Sequence, residues 1–306
     1  MKSYKVSAPG SMMLMGEHSV LKNKFALVAA LNRRMKVELA LREDNKILIK
    51  SELGSYESEL NNFSKSANFT FISEIISEFQ NQISSGFEII IKSNMPHNKG
   101  YGSSASVTAA TLACFDLLLK GKVDNTSIFN QGLNIIRKVQ SGLGSGSDLL
   151  ASIYGGINLY KVDPFSHKRI ELKLPIVLVN SGVKVPTPEV IKYVNDKRAL
   201  AKDYYNQLDC EIDSAVTFAF NALEQNNLEE FYKQLKRNQE LMKQLGVSTE
   251  KLEELIEALD REPSIFASKI SGSGLGDCVY GLGSVTSTFP FSVDQVEVDF
   301  TGLKIL

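Results

Sequence analysis

Apolar positions along the chain alternate in some stretches and recur at helical spacing in others, which divides it into strand-like and helix-like segments. Residues 27–31, 35–41, 46–50 and 87–92 are rich in β-branched or alternating apolar side chains and predict strands. Between them, residues 69–83 place Phe71, Ile72, Ile75, Ile76, Phe79 and Ile83 at helical spacing. Residues 103–120 predict a second helix that stops at Gly121, and 126–139 predict a third. Residues 153–161 read as a strand, and Asp163 with Pro164 opens a turn. A soft boundary falls at 168–173, before an apolar strand at 176–180. The pattern then turns helical over 188–195, 199–225, 227–245 and 248–259, the last with Ser248 as its expected cap. Short strands at 266–271, 279–282 and 296–300 follow. Both halves are α+β, with no internal repeat or long linker, and the chain divides into 1–170 and 171–306.

Composition narrows the class without naming a chemistry. A chain of 306 residues, 43% hydrophobic and 23% charged, can bury two ordinary globular cores. A formal net charge of −1 without a long basic run argues against nucleic acid or an anionic membrane as partner. No apolar stretch approaches a membrane span, and the first residues lack the apolar core of a signal peptide, so a cytoplasmic protein is expected. Cys114, Cys210 and Cys278 are scattered without metal-ligand spacing and read as reduced thiols.

Glycine-rich segments carry the chemistry. Gly100 and Gly102 permit a tight or positive-φ backbone, and Ser103 and Ser104 then open the helix at 103–120. A glycine loop feeding a helix N-terminus aims unpaired N–H groups and the positive end of the macrodipole at one point. Such a loop suits phosphate or simply caps a helix, and no Gly-Lys-Ser/Thr closes it as in a Walker loop. Three more segments accompany it: Ser7 to Ser11 with Gly16 to Leu21, Ser141 to Asp148, and Lys269 to Cys278. Singly, they read as a turn after an edge strand, an aspartate-capped helix and a tight strand turn. Together they suggest loops converging on a polyphosphate.

In order and separation these segments resemble the motifs of the GHMP kinases, the group that includes galactokinase, homoserine kinase, mevalonate kinase and phosphomevalonate kinase. The segments Ala8-Pro-Gly10 with Gly16-Glu-His-Ser-Val-Leu21, Pro96 to Ala105, and Lys269 to Cys278 are similar to the family's first, second and third motifs, and the likeness spans nearly the whole chain. It implies a two-domain fold, with an N-terminal domain of the ribosomal protein S5 domain 2-like type and a C-terminal ferredoxin-like α/β domain. It implies ATP and Mg²⁺ as cofactors and a small-molecule acceptor, in a monomer or homodimer. By the same resemblance, Asp148 is the catalytic carboxylate and Ser104 the Mg²⁺ ligand. Lys99, Gly100, Tyr101, Gly102, Ser103, Ser104 and Ala105 would hold the ATP phosphates. Ser11, Glu17, His18, Lys184, Gly272, Ser273 and Gly274 would face the substrate.

Residues 16–21 and 238–252 look like those of mevalonate kinases, whereas 140–148 and 276–278 look more like phosphomevalonate kinases. The longer agreements put mevalonate ahead of phosphomevalonate as acceptor, with a catalytically weak regulatory homologue third. The departures are specific. Ser11 stands where the family keeps a lysine beside the catalytic aspartate, so Asp148 should titrate higher than in its relatives unless Lys99 or Lys184 substitutes. Tyr101 replaces the usual leucine. Arg137, eleven residues ahead of Asp148, leaves no glutamate for a second Mg²⁺ contact.

Overall fold

The computed structural model describes residues 2–96, 100–286 and 288–306. Two long antiparallel strands, β1 (Ser3–Met15) and β2 (Ala26–Leu41), form the centre of the first sheet. Their inward positions, among them Val6, Ala8, Leu14, Leu27, Ala29 and Leu31, are fully buried. After β3 (Lys46–Ser51), β4 (Gly54–Glu59), α1 (Thr70–Phe79) and β5 (Phe87–Ser93) come the helices α2 (Ser103–Lys120), α3 (Asn125–Val139) and α4 (Ser147–Tyr154). Strands β6 (Ile157–Lys161) and β7 (Ser166–Ile170) complete this part of the chain. Helices α2 and α4 pack on β1 and β2, which sets both helix N-termini at one end of the sheet.

The second sheet begins with β8 (Pro175–Asn180), followed by α5 (Thr187–Leu200), α6 (Lys202–Glu224), α7 (Leu228–Leu245) and α8 (Glu250–Asp260). Strands β9 (Ile265–Ser271), β10 (Cys278–Gly283) and β11 (Val293–Glu297) give the antiparallel order β11-β8-β10-β9, backed by α7 and α8. That order is the ferredoxin-like one, but the described residues between β10 and β11 contain no helix. A final strand, β12 (Lys304–Ile305), returns to pair with β1, so the first sheet reads β12-β1-β2-β5-β3-β4 with β6 and β7 branching from β2. The two sheets meet where β1 ends. There Tyr280 donates to the Leu14 carbonyl at 2.7 Å and Ser271 to the Met13 carbonyl at 3.0 Å.

Several elements differ from the sequence expectation. Residues 27–31 and 35–41 belong to one strand, β2, and the stretch expected as a strand from 153 is the end of α4 before β6 begins. The segment from Ser7 to Ser11 is the interior of β1, not a glycine loop. The last helix is capped by Thr249, whose side chain accepts from the Leu252 amide, while Ser248 bonds Glu253 instead. The strand expected at 296–300 ends at Glu297, beyond which Val298 only bridges Leu31. Among the described residues no helix is long and apolar enough to cross a membrane.

Candidate active site

A cleft of about 590 Å³ opens between the two sheets, within the usual range of small-molecule sites. Its walls include Gly100–105, 143–149, His18, Lys184 and 271–273. Helix α2 points its N-terminus into this cleft. Its N-cap is Gly102 in the left-handed region (φ 61°), a residue without a side chain to cap it, and Ser103 and Ser104 are exposed in its first turn. An 18-residue helix ending so presents unpaired amides and a positive dipole end to the cleft, a site for an anion.

Asp148 enters the same cleft from the first turn of α4, whose cap is another left-handed glycine, Gly146. Burial of its carboxyl pushes its pKa up. The Ser11 hydroxyl donates to Asp148 Oδ1 at 2.8 Å and works in the opposite direction, favouring the ionised form. Among the described residues, no cation is one of the groups that shift Asp148. Ser11 itself is wholly buried, its amide bonded to the Tyr101 carbonyl at 3.0 Å. A Cβ on Gly102 would lie 2.0 Å from Ser11 Oγ. Glycine at 102 is therefore required twice, by its φ and by the serine beside it.

The corner after β1 supplies Glu17 and His18. Glu17 is buried against Lys269 of β9, with Nζ 2.6 Å from Oε1, and Lys269 also donates to the Ile270 carbonyl at 2.5 Å. Burial pulls the Lys269 pKa down while Glu17 opposes it. His18 takes an unusual backbone conformation (φ 60°) and places Nε2 2.7 Å from the Ser273 carbonyl. A carbonyl only accepts, so in the neutral ring Nε2 carries the proton and Nδ1 is an acceptor. Burial is the larger influence and holds the imidazole below its ordinary pKa. The loop between β9 and β10 is stapled by Leu275 N to the Val247 carbonyl and Asp277 N to the Val183 carbonyl, both at 2.7 Å. Glu17 Oε2, Ser273 Oγ and Asp277 Oδ1 are buried without a partner among the described residues, and all three residues line the cleft. A polar ligand would satisfy such atoms.

The cleft thus brings together Gly100, Tyr101, Gly102, Ser103, Ser104, Ala105, Glu17, His18, Asp148, Lys184, Gly272 and Ser273. Ser11 lies behind Asp148 rather than on the wall, and Gly274 packs on Val247. The Tyr101 hydroxyl turns to Asp294, so only the rest of this residue belongs to the loop. Exposed Lys184 acts on Asp277, whose pKa it lowers against a larger upward push from burial, and not on Asp148. Lys99 lies outside the described residues. Sequence reasoning gave no role to Lys269 or Asp277, although both stand in the quoted third motif. A lysine among the apolar and small residues of β9 is the one signal in the sequence that could have marked a buried charge, and it does not name the partner.

The donors present suit a nucleotide with its magnesium ion. Mg²⁺ keeps several waters and takes one or two protein oxygens beside those of phosphates. The exposed Ser104 hydroxyl and the Asp148 carboxyl are such oxygens on one cleft. Among the described residues, no group of three or more His, Cys, Asp or Glu forms a cage that would hold a metal alone.

Residues 70–156 match the GHMP kinases N terminal domain, and residues 219–286 match the GHMP kinases C terminal domain. The mevalonate kinase of Archaeoglobus fulgidus is 31% identical over 277 residues, covering 90% of this chain and 91% of that protein. The crystal structure of the Methanococcus jannaschii mevalonate kinase superposes with a TM-score of 0.79 at 23% identity, over 97% of this chain and 98% of the other. The Streptococcus pneumoniae phosphomevalonate kinase, solved with phosphomevalonate and AMPPNP, gives 0.75 at 20% identity over 92% of each chain. At such identities the superpositions speak for the fold alone.

Proposed function

The chain belongs to the GHMP kinases, and on that premise we propose that it transfers the terminal phosphoryl group of ATP to the primary hydroxyl of mevalonate, giving 5-phosphomevalonate and ADP. The observation that carries this reading is the meeting, in one cleft, of the uncapped α2 N-terminus with the enclosed Asp148 carboxyl. The first is suited to phosphates and the second to the acceptor hydroxyl. Residues 1–170 would supply both, and 171–306 the loop at 272–274 and Lys184.

Phosphoryl transfer passes through a loose, charge-dispersed transition state, so positioning and electrostatics do most of the work. Backbone amides at 100–104 and the Ser103 and Ser104 hydroxyls hold the phosphates against the dipole of α2, while the Ala105 amide closes the first turn on the Gly102 carbonyl. Asp148 orients the acceptor hydroxyl and takes its proton as the new P–O bond forms. A pKa raised by enclosure makes the carboxylate a better base than an exposed one. Ser11 fixes the carboxyl's orientation through Oδ1. Ser104 and Asp148 would hold Mg²⁺, which neutralises charge on the phosphates when bound. His18 Nδ1, Ser273 and Gly272 would meet the acceptor.

Mevalonate is favoured by the 31% identical relative and by the sparse positive charge among the described residues of the cleft. Among its described lining residues Lys184 is the one cation, beside Glu17, Glu52, Asp148 and Asp277. One lysine matches an acceptor with one carboxylate, whereas a phosphorylated acceptor beside ATP calls for more positive charge. A second reading, phosphomevalonate as acceptor, draws on the likeness of residues 140–148 to phosphomevalonate kinases. Coupled ADP release with mevalonate, phosphomevalonate, galactose and homoserine tests the choice. Turnover with mevalonate is expected, and ATP binding without turnover of any acceptor would favour a regulatory homologue.

A further inference from the structure

We infer that Tyr101 is a positioning residue for the nucleotide phosphates, its side chain tying the phosphate loop to the edge strand of the second sheet through Asp294 and Arg33. This rests on the reading of residues 100–105 as the ATP phosphate loop.

The anchor begins with a register shift in β1 and β2. Pro9 faces Arg34 but Gly10 faces Leu31, so Asn32 and Arg33 fall outside the regular ladder. Shifts of this kind re-aim side chains. Arg33 thereby reaches β11, where its guanidinium bonds Asp294 with Nε at 3.3 Å and an amino group at 2.5 Å and also meets the Gln295 carbonyl at 3.0 Å. The Tyr101 hydroxyl donates to the same carboxylate, at 2.5 Å from Oδ2. Asp294 therefore joins a strand of the first sheet, a strand of the second and the phosphate loop in one charged network.

Tyr101 is held at its other end as well. Its carbonyl accepts from Ser11 N, and a Cβ on Gly10 would stand 2.8 Å from that oxygen, so the glycine admits the loop backbone against β1. The ring between these two ties is 2% exposed. Burial and the neighbouring carboxylate both push the phenol pKa up, which keeps it a donor. Leucine, the usual residue here in the resembled family, has no hydroxyl to make this bond. A residue fixed at its carbonyl and at its hydroxyl leaves Gly100 and Gly102 little freedom. The amides that would meet the phosphates are then set by the alignment of the two sheets, not by the loop alone.

The test is calorimetric titration of wild type, Tyr101→Phe, Asp294→Asn and Asp294→Ala with AMP-PNP, and with adenosine by competition. Loss of a buried hydrogen bond to a charged group should weaken AMP-PNP about tenfold in Tyr101→Phe. Adenosine, which carries no phosphate for the loop to hold, should bind as to wild type. Asp294→Asn keeps an acceptor for the hydroxyl and should retain more AMP-PNP affinity than Asp294→Ala. These two variants decide the matter if Tyr101→Phe fails to fold. Equal AMP-PNP affinity in folded Tyr101→Phe, or equal losses for both ligands, overturns the anchor while the nucleotide site stands. Wild type that binds no AMP-PNP overturns the phosphate-loop reading itself, and the anchor with it.

Discussion

The Ser11 hydroxyl donates to Asp148 Oδ1 across 2.8 Å, joining residues 137 positions apart in the chain. It stands where the resembled family keeps a lysine, so a neutral donor replaces a charge beside the carboxylate. A hydrogen bond to the ionised form lowers a carboxyl pKa. In Ser11→Ala the Asp148 pKa should rise further, and the acidic limb of the kcat/KM profile should move to higher pH. An unmoved limb in the pH–rate profile would show that Ser11 does not tune Asp148.

Asp148→Asn should lose ~10²–10⁴-fold in turnover, the usual worth of a positioned base. It should also gain stability near neutral pH. A carboxyl whose native pKa is raised contributes fully below its unfolded value, about 3.9, and that contribution is lost as pH rises through the native value. Asparagine keeps an oxygen for Ser11 without the charge. Thermal melts should show Asp148→Asn above wild type at pH 7, by about 2–4 °C for each kcal/mol relieved, and level with it at acid pH. A lower Tm at pH 7 would mean that the carboxylate is well compensated.

Gly102→Ala should impair both partners that meet at this glycine. Its Cβ would stand 2.0 Å from Ser11 Oγ and require a left-handed backbone of alanine. Weaker AMP-PNP binding and an acidic limb displaced in the direction of Ser11→Ala are expected together. If nucleotide affinity alone changes, the contact with Ser11 carries no influence on Asp148.

Helix α2 was legible to the residue because glycines bracket it at 102 and 121 and small apolar residues fill it. Helix α4 was not. It has eight residues, is mostly apolar after Asp148, and has Gly146 as its cap without a capping side chain, so its end reads equally well as the start of the strand that follows. Strand β1 was hidden by Ala8-Pro-Gly10, which suggests a turn; in the fold, Pro9 and Gly10 sit at the register shift with β2. The glycine loop that opens α2, Asp148 and the third glycine loop were readable as local motifs. Contacts such as Glu17 with Lys269, 252 positions apart, depend on how the two sheets meet, and no local pattern names the partner.

That buried pair gives a stability prediction. Lys269→Met strands the Glu17 carboxylate in the interior and should cost about 3–5 kcal/mol in urea unfolding, as broken buried pairs do. Glu17→Gln combined with Lys269→Met removes both charges and should recover part of that loss. A double variant as unstable as the sum of the singles would mean that the two residues do not act as a pair.

Phosphorus NMR of the reaction of ATP with an equimolar mixture of mevalonate and phosphomevalonate reads the acceptor from the product. Transfer to mevalonate yields a phosphate monoester beside ADP, and transfer to phosphomevalonate yields a new diphosphate. Growth of the monoester signal, abolished in Asp148→Asn, is the expected result. A diphosphate growing while mevalonate persists would contradict it.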